Sequence, residues 1–144
     1  MTERYRLELV RERAPAPFGA EVSAPRDLAR LAWRLIGREA QEVVLCLHLD
    51  STARLRGFHE VARGGLDVAP VDLRVIFAGL LAAASPAFAL VHNHPSGDPK
   101  PSSHDLAVND RVEAAAQLIG VRFLDHLIVA ARTWSSLREC GGPW

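Results

Sequence analysis

Three short apolar runs place the strongest constraint on the fold of this chain. They occupy residues 43–49, 87–91 and 123–130. Runs of this length are typical of buried strands and are too short to cross a membrane as helices. Residues 55–62, which follow a turn at Asp50 and Ser51, predict a partner strand, and a short strand or turn is expected around Trp134. Together these segments predict a central sheet.

Helical patterns separate these strands. Three helices are expected: one that starts at Ser23 and Pro25, one that opens at Pro70 and ends before Pro86, and one that is capped by Ser102, runs to about Leu118 and stops at Gly120. The first carries an apolar stripe from Leu28 to Ile36. Because strands and helices alternate, the predicted class is α/β with a central sheet.

The N-terminal residues have a different pattern. Tyr5, Leu7 and Leu9 alternate with mostly charged residues, which weakly favours a strand until Pro15 and Pro17 interrupt it. We therefore predict an N-terminal arm over residues 1–22 and a single domain over residues 23–144.

Composition limits the classes of function. The chain has 144 residues and 17 basic against 17 acidic side chains, so its formal net charge is zero. Proteins that bind nucleic acid through phosphate contacts usually carry a basic excess, so nucleic-acid binding is possible but not favoured. Cys46 is expected to be a buried hydrophobe, and Cys140 lies too far away to form a CxxC pair. Residues 1–13 are charged throughout and do not resemble a signal peptide, so a cytoplasmic location and no membrane partner are expected.

The chemistry is concentrated in the stretch HNHPSGDPKPSSHD, which begins at His92. Residues two apart in an extended backbone project to the same face, so His92 and His94 can grip one ion at the end of a buried strand. Asp105 would supply an oxygen ligand after the proline-rich loop and complete a three-residue zinc site with an open fourth position. Alone, however, the Ser102-x-x-Asp105 spacing favours a helix capping box, and the two roles are compatible.

Other titratable residues are weaker candidates. His104 is expected to point outward, and His48, His59 and His126 are interpreted as structural residues or as supports for the ligands. Glu39, Glu42 and Glu60 flank the first strands and are the candidates for a general base. Glu42 immediately precedes the buried run 43–49, where an apolar wall would border its carboxyl group.

The motif resembles a known family. The pattern HxHP followed by S-x-x-D resembles the JAMM (MPN+) metalloprotease signature, and the full stretch resembles its RadC-like branch. The further matches are Gln41-Glu42, Leu49-Asp50, Leu124-Asp125-His126 and a closing stretch over residues 136–141. The resemblance implies a cytidine-deaminase-like α/β/α sandwich with a mixed sheet.

By position, the resemblance implies roles for five residues. His92, His94 and Asp105 match the zinc ligands, Glu42 matches the catalytic acid/base, and Ser102 matches the hydroxyl that stabilises the oxyanion. The implied activity is hydrolysis of an amide or isopeptide bond in a protein or peptide substrate. A zinc deaminase would need HxE with PCxxC, and neither occurs here.

Two rival functions remain open from the sequence. One is a DNA-repair-associated accessory or DNA-binding protein of the RadC type, supported by a strip of arginines four residues apart: Arg26, Arg30, Arg34 and Arg38. A solvated helix face explains the same strip, and we expect no helix-hairpin-helix region, for which 144 residues leave no room. The other is a catalytically silent interaction module, which would have no need of His92, His94, Asp105 and Glu42 together. Oligomeric state is not predicted.

Overall fold

The structure is a computed structural model that describes residues 1–14, 16–64, 71–139 and 141–143. These residues form three helices and six strands in the order α1 Pro25–Ile36, β1 Val43–Leu49, β2 Leu55–Arg63, α2 Leu73–Ala82, β3 Ala87–Asn93, α3 Ser103–Ile119, β4 Arg122–Val129, β5 Thr133–Ser136 and β6 Gly142–Pro143. No helix among the described residues is long and apolar enough to cross a membrane.

The strands form one mixed sheet in the order β2-β1-β3-β4-β5-β6. β3 and β4 run parallel, and the other neighbouring strands in the described sheet run antiparallel. The neighbouring interior strands β1 and β3 are buried at every position. Their continuous burial explains why most of their residues are apolar rather than alternating between apolar and polar.

Helices cover both faces of this sheet. Alternate residues of β1 enter two separate cores: Val43, Leu45 and Leu47 pack with α1, whereas Val44 and Cys46 pack with residues of α2 and α3. The predicted α/β/α sandwich with a central mixed sheet is therefore confirmed. Cys46 is fully buried, as expected, and burial raises the pKa of its thiol. Cys140 lies outside the described residues.

Local signals account for the helix ends. Pro25 opens α1, and the Asp27 carboxylate accepts hydrogen bonds from the backbone N–H groups of Ser23 and Ala24. Gly120 ends α3 with a φ of 86°, a left-handed conformation that glycine adopts without steric cost. The second helix begins at Leu73, with Asp72 as its cap, and the predicted start at Pro70 lies outside the described residues.

The N-terminal strand prediction is wrong. Residues 1–14 contain no helix or strand, and their side chains are exposed. The alternation of Tyr5, Leu7 and Leu9 satisfies the strand pattern, but a strand also needs a sheet edge to pair with its backbone groups. The chain meets the sheet at Gly19 and Ala20, which exchange backbone hydrogen bonds with Leu55, and Glu21 forms an isolated bridge with Arg54.

Candidate metal centre

Two histidines lie at the end of β3. His92 is 1% exposed and is paired between Val44 of β1 and Ile128 of β4, so the sheet fixes its backbone on both sides. His94 follows the strand, and its N–H donates to the Val129 carbonyl at 2.9 Å. The two Nε2 atoms are 3.0 Å apart. The expected common face for the HxH pair is therefore present.

The His94 ring is oriented by its other nitrogen. Its Nδ1 lies 2.8 Å from the Asp98 carbonyl oxygen, which can only accept, so Nδ1 carries the proton. In the neutral ring the lone pair is then on Nε2, the atom that faces His92. The proline-rich loop thus sets the tautomer that a metal ligand needs.

Asp105 combines two roles. Its backbone N–H donates to Ser102 Oγ at 3.0 Å, and its Oδ2 accepts from the Ser102 N–H at 2.8 Å, which completes the capping box at the start of α3. The same carboxylate faces the histidines, with Oδ1 3.4 Å from His92 Nε2 and Oδ2 3.3 Å from His94 Nε2. The cap and the contacts with the histidines therefore coexist.

The charges in this cluster attract a cation. Burial alone would raise the pKa of Asp105, but the His92 and His94 rings in their protonated form, together with the Ser102 N–H, hold it well below its usual range. Burial alone would lower the pKa of His94, but Asp105, the Asp98 carbonyl and Glu42 raise it. Two imidazole nitrogens at 3.0 Å beside an ionised carboxylate need positive charge between them, which a proton or a metal ion can supply.

Glu42 completes the group. Its Oε1 lies 3.6 Å from His92 Nε2 and 3.7 Å from His94 Nε2, and its side chain is 14% exposed. The other candidates for the general base lie elsewhere: Glu39 and Glu60 both pair with Arg63, at 3.0 and 2.7 Å, on more exposed surface. Of the three acids, the structure brings only Glu42 to the histidines.

Sequence reasoning missed a residue that holds Glu42 in place. Asn93 is 2% exposed, and its Oδ1 accepts from the Val43 N–H at 2.8 Å. Its Nδ2 donates to the carbonyls of Gln41, at 2.9 Å, and Glu39, at 3.2 Å. The available signal was a polar residue inside a buried strand, since such a side chain must find partners.

Ser102 and His104 lie at the rim of the site. Both are exposed, and Ser102 Oγ accepts from the Asp105 N–H. A hydroxyl that accepts one hydrogen bond still has a proton to donate. His104 is exposed as predicted, although it lines a small pocket with Glu42, His92 and Asp105.

The donor set fits zinc. Ligand atoms at about 2.1 Å from a tetrahedral zinc ion lie about 3.4 Å from one another. The distances among His92 Nε2, His94 Nε2 and the Asp105 oxygens are 3.0, 3.3 and 3.4 Å. The potential ligand atoms of the two imidazoles, the Asp105 carboxylate and Glu42 all lie within 4.8 Å of one another.

Comparison with known proteins identifies the family of this chain. The sequence profile of the RadC-like JAB domain matches residues 22–142. The chain belongs to the RadC-like JAB domain family. The predicted resemblance is thereby confirmed, as is the JAB/MPN type of α/β fold.

The RadC-like domain has similar relatives in bacteria and archaea. It is 32% identical to a UPF0758 protein of Clostridium perfringens, over 96% of this chain and 60% of the relative. It is 42% identical to one of Psychromonas ingrahamii, over 69% of this chain and 44% of the relative. For one of Methanosarcina mazei the identity is 31%, over 84% and 53%. The chain thus spans about half the length of the curated relatives it matches.

The RadC-like domain holds a second group of metal-ligand types, Cys46, His48 and His59. Its imidazoles already satisfy one another: His48 Nε2 and His59 Nδ1 are 2.7 Å apart. The outer nitrogens contact Ser85 Oγ at 2.6 Å and the Val75 carbonyl at 3.0 Å. Burial, followed by the neighbouring His59, lowers the pKa of His48 to about 4. This closed chain of hydrogen bonds agrees with the structural interpretation of His48 and His59.

Proposed function

We propose that this domain is a zinc-dependent hydrolase that cleaves amide bonds in a protein or peptide substrate, as a peptidase or isopeptidase. The observation that carries the proposal is the convergence of His92, His94, Asp105 and Glu42 on one point at the end of β3. Membership of the JAB family supports the same assignment.

His92, His94 and Asp105 would hold the metal. Zinc, when bound, acts as a Lewis acid that polarises a carbonyl and makes water a better nucleophile at neutral pH. His94 is oriented by the Asp98 carbonyl, and Asp105 is oriented by the helix cap. These supports fix the donors before a metal arrives, which reduces the cost of binding.

Glu42 would transfer the protons. Its carboxylate accepts a proton from the attacking water and returns it to the leaving amine, so one residue serves as base and then as acid. Glu42 Oε1 lies more than 3.5 Å from both Nε2 atoms. At that distance Glu42 would contact a water next to the metal ligands. The backbone of Glu42 is held by the Gly64 N–H, which donates to its carbonyl at 2.9 Å.

Ser102 would stabilise the negative charge that develops on the carbonyl oxygen. Its Oγ accepts from the Asp105 N–H, and this bond orients the hydroxyl at the start of α3. The hydroxyl proton can then be donated to the oxyanion. One such donor stabilises the transition state by about 3 kcal/mol.

The test is cleavage profiling of peptides derived from a whole proteome, with isopeptide-linked conjugates included. We expect cleavage by the zinc-loaded protein, its loss on chelation and its return when zinc is restored. The matched control is the His92→Ala, His94→Ala double variant, which should cleave nothing. A wild-type protein that holds zinc yet cleaves no peptide or conjugate would contradict the proposal.

A further inference from the structure

We propose that His126 is a positioning residue: it accepts a hydrogen bond from His92 Nδ1–H and so keeps the lone pair of His92 Nε2 directed at the metal centre. The inference rests on the proposed metal site, and it assigns a role to a residue outside the ligand group.

The contact crosses from β4 to β3. His126 Nε2 lies 2.9 Å from His92 Nδ1, and the ring centroids are 4.9 Å apart. In the sheet His126 is paired with Leu90, two residues before His92 on the parallel strand. Both rings are buried, at 3% and 1% exposure. Water therefore does not compete for this hydrogen bond.

Only one direction of this hydrogen bond suits a metal ligand. If His126 Nε2 donated, the neutral His92 ring would carry its proton on Nε2, the atom that faces His94 and Asp105. If His92 Nδ1 donates, Nε2 keeps its lone pair for a metal. His126 must then accept at Nε2 and carry its own proton on Nδ1.

In either direction the other nitrogen of His126, Nδ1, takes no part in this hydrogen bond. His126 Nδ1 is buried and has no hydrogen-bond partner within the described part of the chain. An unpaired buried N–H disfavours folding, but an apolar residue in place of His126 would leave His92 Nδ1 unpaired instead. The stability of the fold therefore gives little preference for His126, whereas the orientation of His92 requires an acceptor at this position.

The experiment measures zinc affinity by competition with a chromophoric chelator. Loss of a hydrogen-bond partner behind a ligand typically weakens metal binding 10–100-fold, and we expect this range for His126→Leu. His126→Gln places an amide oxygen near the position of Nε2 and should recover most of the affinity. His126→Asn has a shorter side chain and should not. The thermal midpoint of the metal-free His126→Leu protein should lie close to that of the wild type, because each protein has one unpaired buried ring nitrogen.

A second measurement does not depend on any variant. Long-range 1H–15N spectra of the zinc-loaded wild type should show His126 protonated at Nδ1 and unprotonated at Nε2. A proton on His126 Nε2 would overturn the proposal, as would full zinc affinity in folded His126→Leu. If the wild type itself binds no zinc, the proposed function fails; if the wild type and His126→Leu bind it equally, only the positioning role fails.

Discussion

At the scale of single residues, Glu42 and the metal-ligand candidates have separable tasks. Glu42 lies beside the two Nε2 atoms at 3.6 and 3.7 Å and belongs to a segment fixed by Asn93 and Gly64. An amide in its place preserves the shape but cannot accept the proton. We therefore expect Glu42→Gln to keep zinc and fold and to lose hydrolysis by at least about 10²-fold.

The measurement is single-substrate kinetics together with zinc content. Glu60→Gln is the matched control, because Glu60 pairs with Arg63 at the surface and should keep the wild-type rate. Cleavage at the wild-type rate by Glu42→Gln would show that another group transfers the proton.

Asp105 permits a separation of its cap from its metal role. Asp105→Ala should lose zinc and also weaken the start of α3 by about 1 kcal/mol, since the Ser102 N–H loses its acceptor. Asp105→Asn keeps an acceptor for the cap but is a poorer zinc ligand. We expect both variants to bind far less than the one zinc per chain of the wild type, with only the alanine variant losing cap stability.

Elemental analysis and urea unfolding of the metal-free proteins check these two effects separately. Full zinc content in Asp105→Ala, or in the His92→Ala, His94→Ala double variant, would contradict the assignment of the ligands.

At the scale of elements, Asn93 of β3 connects the histidines to the segment that carries Glu42. His92 and His94 face the metal centre, while Asn93 between them binds the backbone of residues 39–43. Asn93→Leu leaves these buried backbone groups without partners, which should cost about 2–4 kcal/mol. It should also lower kcat more than it lowers zinc affinity, because Glu42 shifts while the histidines stay in the sheet.

Urea unfolding, zinc competition and kinetics on one preparation check this order of effects. Asn93→Asp, which keeps one acceptor for the Val43 N–H, is the partial control. An Asn93→Leu variant with unchanged kcat would show that the segment carrying Glu42 needs no such support.

The elements also show what sequence can predict. Largely apolar runs identified β1, β3 and β4, and cap signals identified α3, because these patterns depend on residues close in the chain. The HxH spacing and the Ser102-x-x-Asp105 box are local as well. The contact of His126 with His92 depends on β4 lying parallel beside β3, which no local pattern states. The same limit explains the wrong strand at Tyr5, where the pattern was present but residues 1–14 pair with no strand of the sheet.

At the scale of the whole molecule, the pair His48–His59 makes stability depend on pH. The pKa of His48 falls from its ordinary value of 6.5 to about 4, because burial and the neighbouring His59 disfavour the charged ring. The folded state then stays neutral while the unfolded state binds a proton. Stability is therefore fully present above pH 6.5 and is lost as pH falls towards 4, by roughly 3 kcal/mol.

Urea unfolding of metal-free protein at pH 7 and pH 4.5 measures this loss. His48→Leu should be less stable at pH 7, yet its decline between the two pH values should be shallower than that of the wild type. Equal declines in the two proteins would show that His48 does not carry the pH dependence.

The last prediction concerns nucleic acid and the outer layer of the sandwich. Arg26, Arg30 and Arg34 are exposed along α1, and Arg38 is exposed just beyond its end. The buried residues of α1 pack in the core that holds Val43 and Leu45. Val91 packs in the core under α1. Successive side chains of a strand point to opposite faces of the sheet, so His92 points away from α1. The arginines and the metal centre therefore lie on opposite faces of the sheet. The formal net charge is zero. We therefore expect only weak, sequence-independent DNA binding, with a Kd in roughly the 10⁻⁶–10⁻⁴ M range at physiological salt.

Fluorescence anisotropy across a salt series checks this, with Arg30→Ala, Arg34→Ala as the test variant. Because the strip supplies few phosphate contacts, the double variant should reduce the salt slope slightly and leave zinc content and hydrolysis unchanged. Submicromolar binding at physiological salt that this variant abolishes would instead favour a DNA-associated protein. In that case the duplex would dock on α1, across the sheet from His92, and the metal centre would have to act on a different partner or on a segment of DNA that wraps around the sheet edge.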